Sequence, residues 1–445
     1  MKYKAYSLRN YLNIPQVKKL SNEAKHNIEV VGNVLPFKVN NYVIDELIDW
    51  SNFEEDPIYH LTFPQKGMLL PEHFDVMSKV LKQATDKELV KEVANDIRNQ
   101  LNPHPAGQKT QNVPSIDGKE LLGIQHKYRE TVLFFPKAGQ SCHSYCTFCF
   151  RWPQFTGMDE LKFAMKESFL LMKYLRRHHE VSDLLFTGGD PMTMSFKVFK
   201  RFLEPFLSDN HRTNIQTIRI GTKALSFWPY KFTTDKDADD FMRIFEQITK
   251  KGYNLAIMAH FSHIRELETP VVQEAIKRIR DTGAQIRTQS PLLRNINDDP
   301  AIWSEMWRKQ VNLNCIPYYM FVARNTGAQH YFSIPLVEAW NIFRIAYQNV
   351  GGLCRTVRGP SMSCTPGKVM ISGVAEINGE KLLALRFLQG RNPDWAARPF
   401  FAKYDESAVW MNTLKPAFAE KFFFEEEEEA LYHEHYYDSE YSNFE

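Results

Sequence analysis

The chain has 445 residues, too many for one minimal domain and enough for a large α/β barrel with extensions or two to three ordinary domains. Its 55 Lys and Arg face 53 Asp and Glu with no dense basic run interleaved with aromatics, which argues against nucleic-acid binding, and 43% apolar residues can bury a substantial core. No stretch approaches the ~20 apolar residues of a membrane span, and the opening MKYKAYSLRNYLNIPQ lacks a signal peptide's apolar core; a cytoplasmic protein without membrane association is expected.

Residues 1–120 read as a helical and irregular region. Within it, PEHFDVMSKVLKQATDKELVKEVANDIRNQLNPHPAGQ predicts two helices, the second N-capped near Thr85 or Asp86 and ended before Pro103. The stretch 103–123, rich in Pro, Gly and Gln, predicts a crossing segment. From 121 to 350 the pattern changes. Strands are predicted at TVLFF (131–135), DLLFTGG (183–189), TIRIGT (217–222), NLAIMAHF (254–261), AQIRTQS (284–290) and CIPYYMF (315–321). Helices fill 159–178, 195–207, 237–250, 270–281, 301–312 and 335–348. Gly252 and Gly283 suit the left-handed position that ends a helix. Six strand-then-helix units in series predict a parallel sheet with right-handed crossovers. They are too few for a closed eight-fold barrel, so an open, partial barrel is expected, with chemistry at the C-terminal strand ends. Residues 351–424 form a C-terminal extension. The run FFFEEEEEALYHEHYYDSEYSNFE carries, from residue 425 on, nine of the acidic residues and none of the basic ones; a solvated, partly disordered tail is expected over 425–445.

The segment CHSYCTFC holds three of the six cysteines, too few in so long a chain for a disulfide scaffold. Its spacing is C-x3-C-x2-C, just after a predicted strand. A zinc site wants a fourth ligand nearby, and His143, adjacent to Cys142, is badly placed to close a tetrahedron. Three thiolates on a [4Fe–4S] cube satisfy three irons and leave the fourth open. Buried unligated cysteines and a zinc site are the alternatives. Further on, FTGGDP (186–191) ends the next strand with two glycines, which admit close backbone approach, and with Asp190, an acceptor suited to an ammonium.

These motifs, with Phe148 before the last cysteine, resemble the radical S-adenosylmethionine (SAM) superfamily, whose fold is a partial (β/α)6 barrel. The resemblance implies that Cys142, Cys146 and Cys149 hold the cluster, that SAM chelates its open iron, and that Gly188, Gly189 and Asp190 contact the SAM amino group. HKY (126–128), CTFCFRWPQF, IRIGTKA, MAHFSH, TQSPLLRNIND, PYYMF and a late PGK together resemble the lysine 2,3-aminomutase family. That likeness implies a pyridoxal phosphate (PLP)-dependent 2,3-aminomutase, an isomerase that moves an α-amino group to the β-carbon. His260 and Gln289 would lie near SAM, and Lys368 would form the Schiff base with PLP, although the family's glycine-rich turn here reads SMSCTPGK. Lys127 and Tyr128 would contact the coenzyme, and Arg151 would clamp the substrate α-carboxylate. Where lysine-specific members place two aspartates, this chain has Arg324 and Ser361; lysine is therefore an unsuitable substrate, and an acidic, glutamate-like amino acid is expected. No Cys follows residue 364, so no zinc is expected. A one-electron donor such as flavodoxin or ferredoxin and a homo-oligomeric state complete the expectation. The competing readings are a PLP-independent radical SAM enzyme (an epimerase or a modifier of peptides or small molecules) and an inactive homologue serving as a binding module.

Overall fold

The computed structural model describes residues 1–83, 86–103, 112–157, 163–209 and 212–430. One sheet of eleven strands dominates it, and the spatial order follows the chain: β1 (Ile124–Tyr128), β2 (Thr131–Phe134), β3 (Asp183–Phe186), β4 (Thr217–Thr222), β5 (Asn254–His260), β6 (Gln285–Leu292), β7 (Ile316–Val322), β8 (Arg358–Ser363), β9 (Gly367–Ile377), β10 (Glu380–Gly390) and β11 (Pro399–Lys403). Neighbours from β2 to β8 are parallel, while β1 and β9 to β11 add antiparallel edges. β2 to β7 are the six strands read from the sequence, and helices follow them as expected. The chain therefore has a partial α/β barrel with extensions at both ends.

The local reasons are visible in the sequence. β4 alternates buried and half-buried positions, as a strand with one packed face does, whereas β5 is buried through its centre, as a strand covered on both faces must be. In the helix Ala238–Lys250, Phe241, Ile244, Phe245 and Ile248 make one apolar stripe against the sheet. Gly252, at φ +98°, takes the left-handed turn that stops this helix and starts β5.

Three readings need correction. The helix expected over 159–178 spans Ser168–Arg177; its expected start falls partly on residues 158–162, outside the described residues. The C-terminal extension, in which no strand is predicted from the sequence, is a run of antiparallel strands with a core of its own around Ile371, Leu385, Phe387 and Trp395. The β9–β10 hairpin turns at Asn378-Gly379, both at positive φ, as two-residue hairpin loops require. Finally, Phe422 and Phe424 are buried in that second core, and 425–430 is helical rather than a solvated coil. The tail from 431 to 445 lies outside the described residues. The N-terminal helix Lys87–Leu101 is capped by Asp86, which accepts from the Glu88 amide. Among the described residues no helix is long and apolar enough to cross a membrane.

Candidate active site

The cysteine loop leaves β2 at the C-terminal end of the sheet, and two other loops hold it. The Gly188-Gly189 turn after β3 lies so close that a Cβ on Gly188 would meet the Gln140 side chain at 2.2 Å, and one on Gly189 the Ser141 amide nitrogen at 2.5 Å. These glycines are needed to seat one loop on another. Asp190 completes the joint. Its amide donates to the Gly139 carbonyl, and its buried carboxylate accepts from the Met192 and Lys223 amides and from Thr222 Oγ1. Burial pushes that carboxyl up to about 6 against these donors. Asp190, read from the sequence as an acceptor suited to an ammonium, here has both carboxylate oxygens engaged by the fold.

The second support comes from the N-terminus, which the sequence had marked with no function. The ribbon strand Lys38–Asn40 crosses the cysteine loop. Lys38 Nζ donates to the Cys142 carbonyl at 2.7 Å, and the Tyr145 amide donates to the Lys38 carbonyl. Asn40 Nδ2 donates to the carbonyls of His143 and Phe227, and the Tyr3 hydroxyl donates to His143 as well.

None of the three loop cysteines is in a disulfide. Burial pushes all three thiols up, Cys149 to about 11, so three thiolates can sit together there only beside a cation. A single tetrahedral ion with bonds of about 2.3 Å would need sulfurs about 4 Å apart. The described groups whose ligating atoms all lie within 4.8 Å of one another are His126, His178 and Glu180, not the cysteines. An all-thiolate set of three donors on one loop suits three irons of a [4Fe–4S] cluster. The His126 nitrogens are already engaged by the Tyr174 hydroxyl and the Arg129 carbonyl.

At the adjoining strand ends, His260 closes β5 and pairs in register with Gln289 of β6. The His260 ring lies 5.5 Å from Phe148 of the cysteine loop, and its Nε2 is buried without a hydrogen-bond partner among the described residues. Burial holds this imidazole well below its usual range, hence neutral.

Beside the loop lies a cavity of about 700 Å³. Lys127 and Tyr128 enter it from β1, Arg151 from the cysteine loop, Arg324 from beyond β7, and Lys368 from β9. Lys368 Nζ stands 4.2 Å from the Tyr319 ring centroid and makes no hydrogen bond or ion pair with the described residues. Burial, then Arg219, Arg358 and Lys127, bring its amine down to about 7. Lys127 is likewise lowered to about 7, first by burial, but its Nζ donates to the Cys364 carbonyl. Arg151 lies over the Phe135 ring at 4.2 Å, and Arg324 between Phe150 and Trp410. Each has an Nε that is buried without a hydrogen-bond partner, and neither pairs with a carboxylate among the described residues. Burial lowers both guanidinium pKa values, Arg151 to about 10. Ser361 is a correction to the expectation. It is wholly buried, donates to the Met320 carbonyl and does not reach the cavity; Ser363, two residues on, lines it instead. Trp410, Phe422, Phe424, Glu425 and Glu428 close the cavity from the C-terminal side, and no local sequence signal marked them.

No family model matches the chain. It is 25% identical to an Aquifex aeolicus (strain VF5) protein named "Putative L-lysine 2,3-aminomutase" over 414 residues, 93% of this chain and 96% of that one. It is 24% identical to the L-lysine 2,3-aminomutases of Methanococcus maripaludis and Clostridium subterminale, over 71% and 52% of this chain. Those matches span 60% and 52% of the relatives' own lengths. A solved radical SAM methyltransferase from Sphaerobacter thermophilus is similar at 16% identity and TM-score 0.38, over 64% of this chain and 87% of that one, too loosely to carry an argument.

Proposed function

We propose that the chain, similar to L-lysine 2,3-aminomutases, is a radical SAM, PLP-dependent amino-acid 2,3-aminomutase whose substrate carries an anionic side chain. The observation that carries this reading is a pair of half-buried guanidiniums, Arg151 and Arg324, each with a buried, unpartnered Nε and no carboxylate partner among the described residues, on the cavity that also holds Lys368. A buried cation without an anion costs several kcal/mol. Two such guanidiniums on one cavity suit a ligand with two anionic ends.

When bound, the cluster with SAM would supply a hydrogen-abstracting 5′-deoxyadenosyl radical, and PLP a π-system that stabilises the rearranging radical. Cys142, Cys146 and Cys149 would ligate the cluster, reduced by a donor of the flavodoxin or ferredoxin class. Lys368, partly unprotonated near neutral pH and without a hydrogen bond to the described residues, has the amine a carbonyl coenzyme needs. Arg151 would take the α-carboxylate as a planar two-pronged donor, and Arg324 the distal group. Aromatic walls from Phe135, Phe150 and Trp410 would keep water from the radical.

The test is a charge swap. Arg324→Asp should lower kcat/KM for L-glutamate by about a hundredfold, the loss expected when a buried charge pair becomes a repulsive one, while neutral amino acids change little. If the unaltered, anaerobically reconstituted enzyme turns over lysine and ignores glutamate, the anionic-substrate reading is wrong.

A further inference from the structure

The acidic run that follows three consecutive phenylalanines is docked. Phe424 packs its ring against Phe387 and Trp395, and Phe422 against Phe400. On the helical turn beyond them, Glu427 is pinned from the outside, accepting from Trp395 Nε1 at 2.8 Å and Asn392 Nδ2 at 2.9 Å. Residues 425 and 428, three apart, share a face of the turn directed away from Glu427, while Phe424, three before Glu427, meets Trp395 as Glu427 does. Phe424, Glu425 and Glu428 line the cavity. Glu425 also accepts from the Phe422 amide, which fixes the start of the turn. The same cavity is lined by six basic residues, Lys127, Arg151, Arg219, Arg324, Lys368 and Arg391. Arg219 is matched by Asp183. The negative charge of Glu428 is felt at Lys127, whose protonated form it favours.

We infer that Glu425 and Glu428 are specificity-determining residues of the substrate cavity, with Glu428 the stronger. They present the chain's own carboxylates to the cavity's basic residues, so an incoming anion competes with them and an uncharged ligand of the same shape does not. This rests on reading the cavity as the site of an anionic substrate. The plainer possibility is a packing turn whose carboxylates are solvated and without effect on ligands.

The experiment is isothermal titration of the reconstituted, oxidised protein with L-glutamate and with its near-isostere L-glutamine. Glu428→Gln keeps the shape, the phenylalanine anchors and the Glu425 cap. Glu426→Gln removes the same charge from an exposed position on the same turn. Glu428→Gln should tighten glutamate binding by about tenfold, as removal of a nearby competing charge does in a partly buried site. Glutamine binding and the Glu426→Gln protein should change by less than about twofold. Equal changes for both ligands, an equal effect of Glu426→Gln, weaker glutamate binding, or no glutamate binding by any form would each overturn the inference. Glutamate binding lost in Arg324→Asp but untouched by Glu428→Gln would sink this inference alone and leave the anionic-substrate reading standing.

Discussion

Two half-buried lysines face the cavity, and their hydrogen bonds tell them apart. Lys127 is tied to the Cys364 carbonyl, whereas Lys368 points its amine past the Tyr319 ring with no partner among the described residues. A carbonyl coenzyme should therefore be captured by Lys368, and Lys368→Ala should lose the borohydride-fixed pyridoxyl group while retaining iron. Persistence of that group in the variant would move the role to Lys127. The pH dependence has a definite sign. The folded amine is lowered from 10.5 to about 7, chiefly by burial, so it is protonated and unreactive below 7 and free above it. Coenzyme capture, followed by absorbance, should rise from pH 6 to pH 8; a profile that stays flat until pH 9 would mean an unshifted lysine. At Asp190 the expectation is structural. Removing its carboxylate by Asp190→Ala leaves three buried donors unsatisfied, at about 1–3 kcal/mol each. The variant should melt well below the native protein even without iron or SAM, and an unchanged melting temperature would show that the joint between the two loops does not depend on it.

At the scale of elements, the ribbon strand Lys38–Asn40 bears on the cysteine loop across 104 residues of sequence. A charged hydrogen bond to a carbonyl is worth about 1.5–3 kcal/mol. Lys38→Met should therefore release cluster iron to a chelator about tenfold faster, at similar initial loading. Equal release rates would reduce the strand to a cover. No sequence pattern announces such a contact, because Lys38 and Asn40 look like any polar residues of a short strand. The barrel units were legible for the opposite reason: each helix carries its own apolar stripe, and Gly252 and Gly283 mark where a helix gives way to a strand. The C-terminal hairpin was partly legible too. Asn378-Gly379 is a strong two-residue turn signal inside alternating apolar residues, but β9 begins at Gly367, in the very stretch that drew attention as a coenzyme turn. Lys368 is thus held by a strand that pairs with Gln389 on one side and Ser363 on the other, a firmer mount than a loop.

For the whole molecule, the barrel and the C-terminal sheet are one continuous surface, and the cavity lies where they meet the cysteine loop. The cysteine spacing marked the loop as a candidate site and the family resemblance marked Arg151, which lines the cavity. Neither signal located the C-terminal face, where Glu428 lines the same cavity as Lys127 of β1 and Lys368 of β9, or revealed that Ser361 is spent on the Met320 carbonyl. Arg324 was marked by its place after β7, but only the fold shows its Nε buried without a partner. On the proposed reading, a radical generated at the cysteine loop would reach the β-carbon of an acidic amino acid held between Arg151 and Arg324. The most direct test uses L-glutamate deuterated at its β-carbon, with the reconstituted enzyme, SAM and a chemical reductant, and reads the mass of the 5′-deoxyadenosine formed. Deuterium should enter 5′-deoxyadenosine from glutamate and not from lysine deuterated at the same carbon; deuterium from lysine, with none from glutamate, would contradict it.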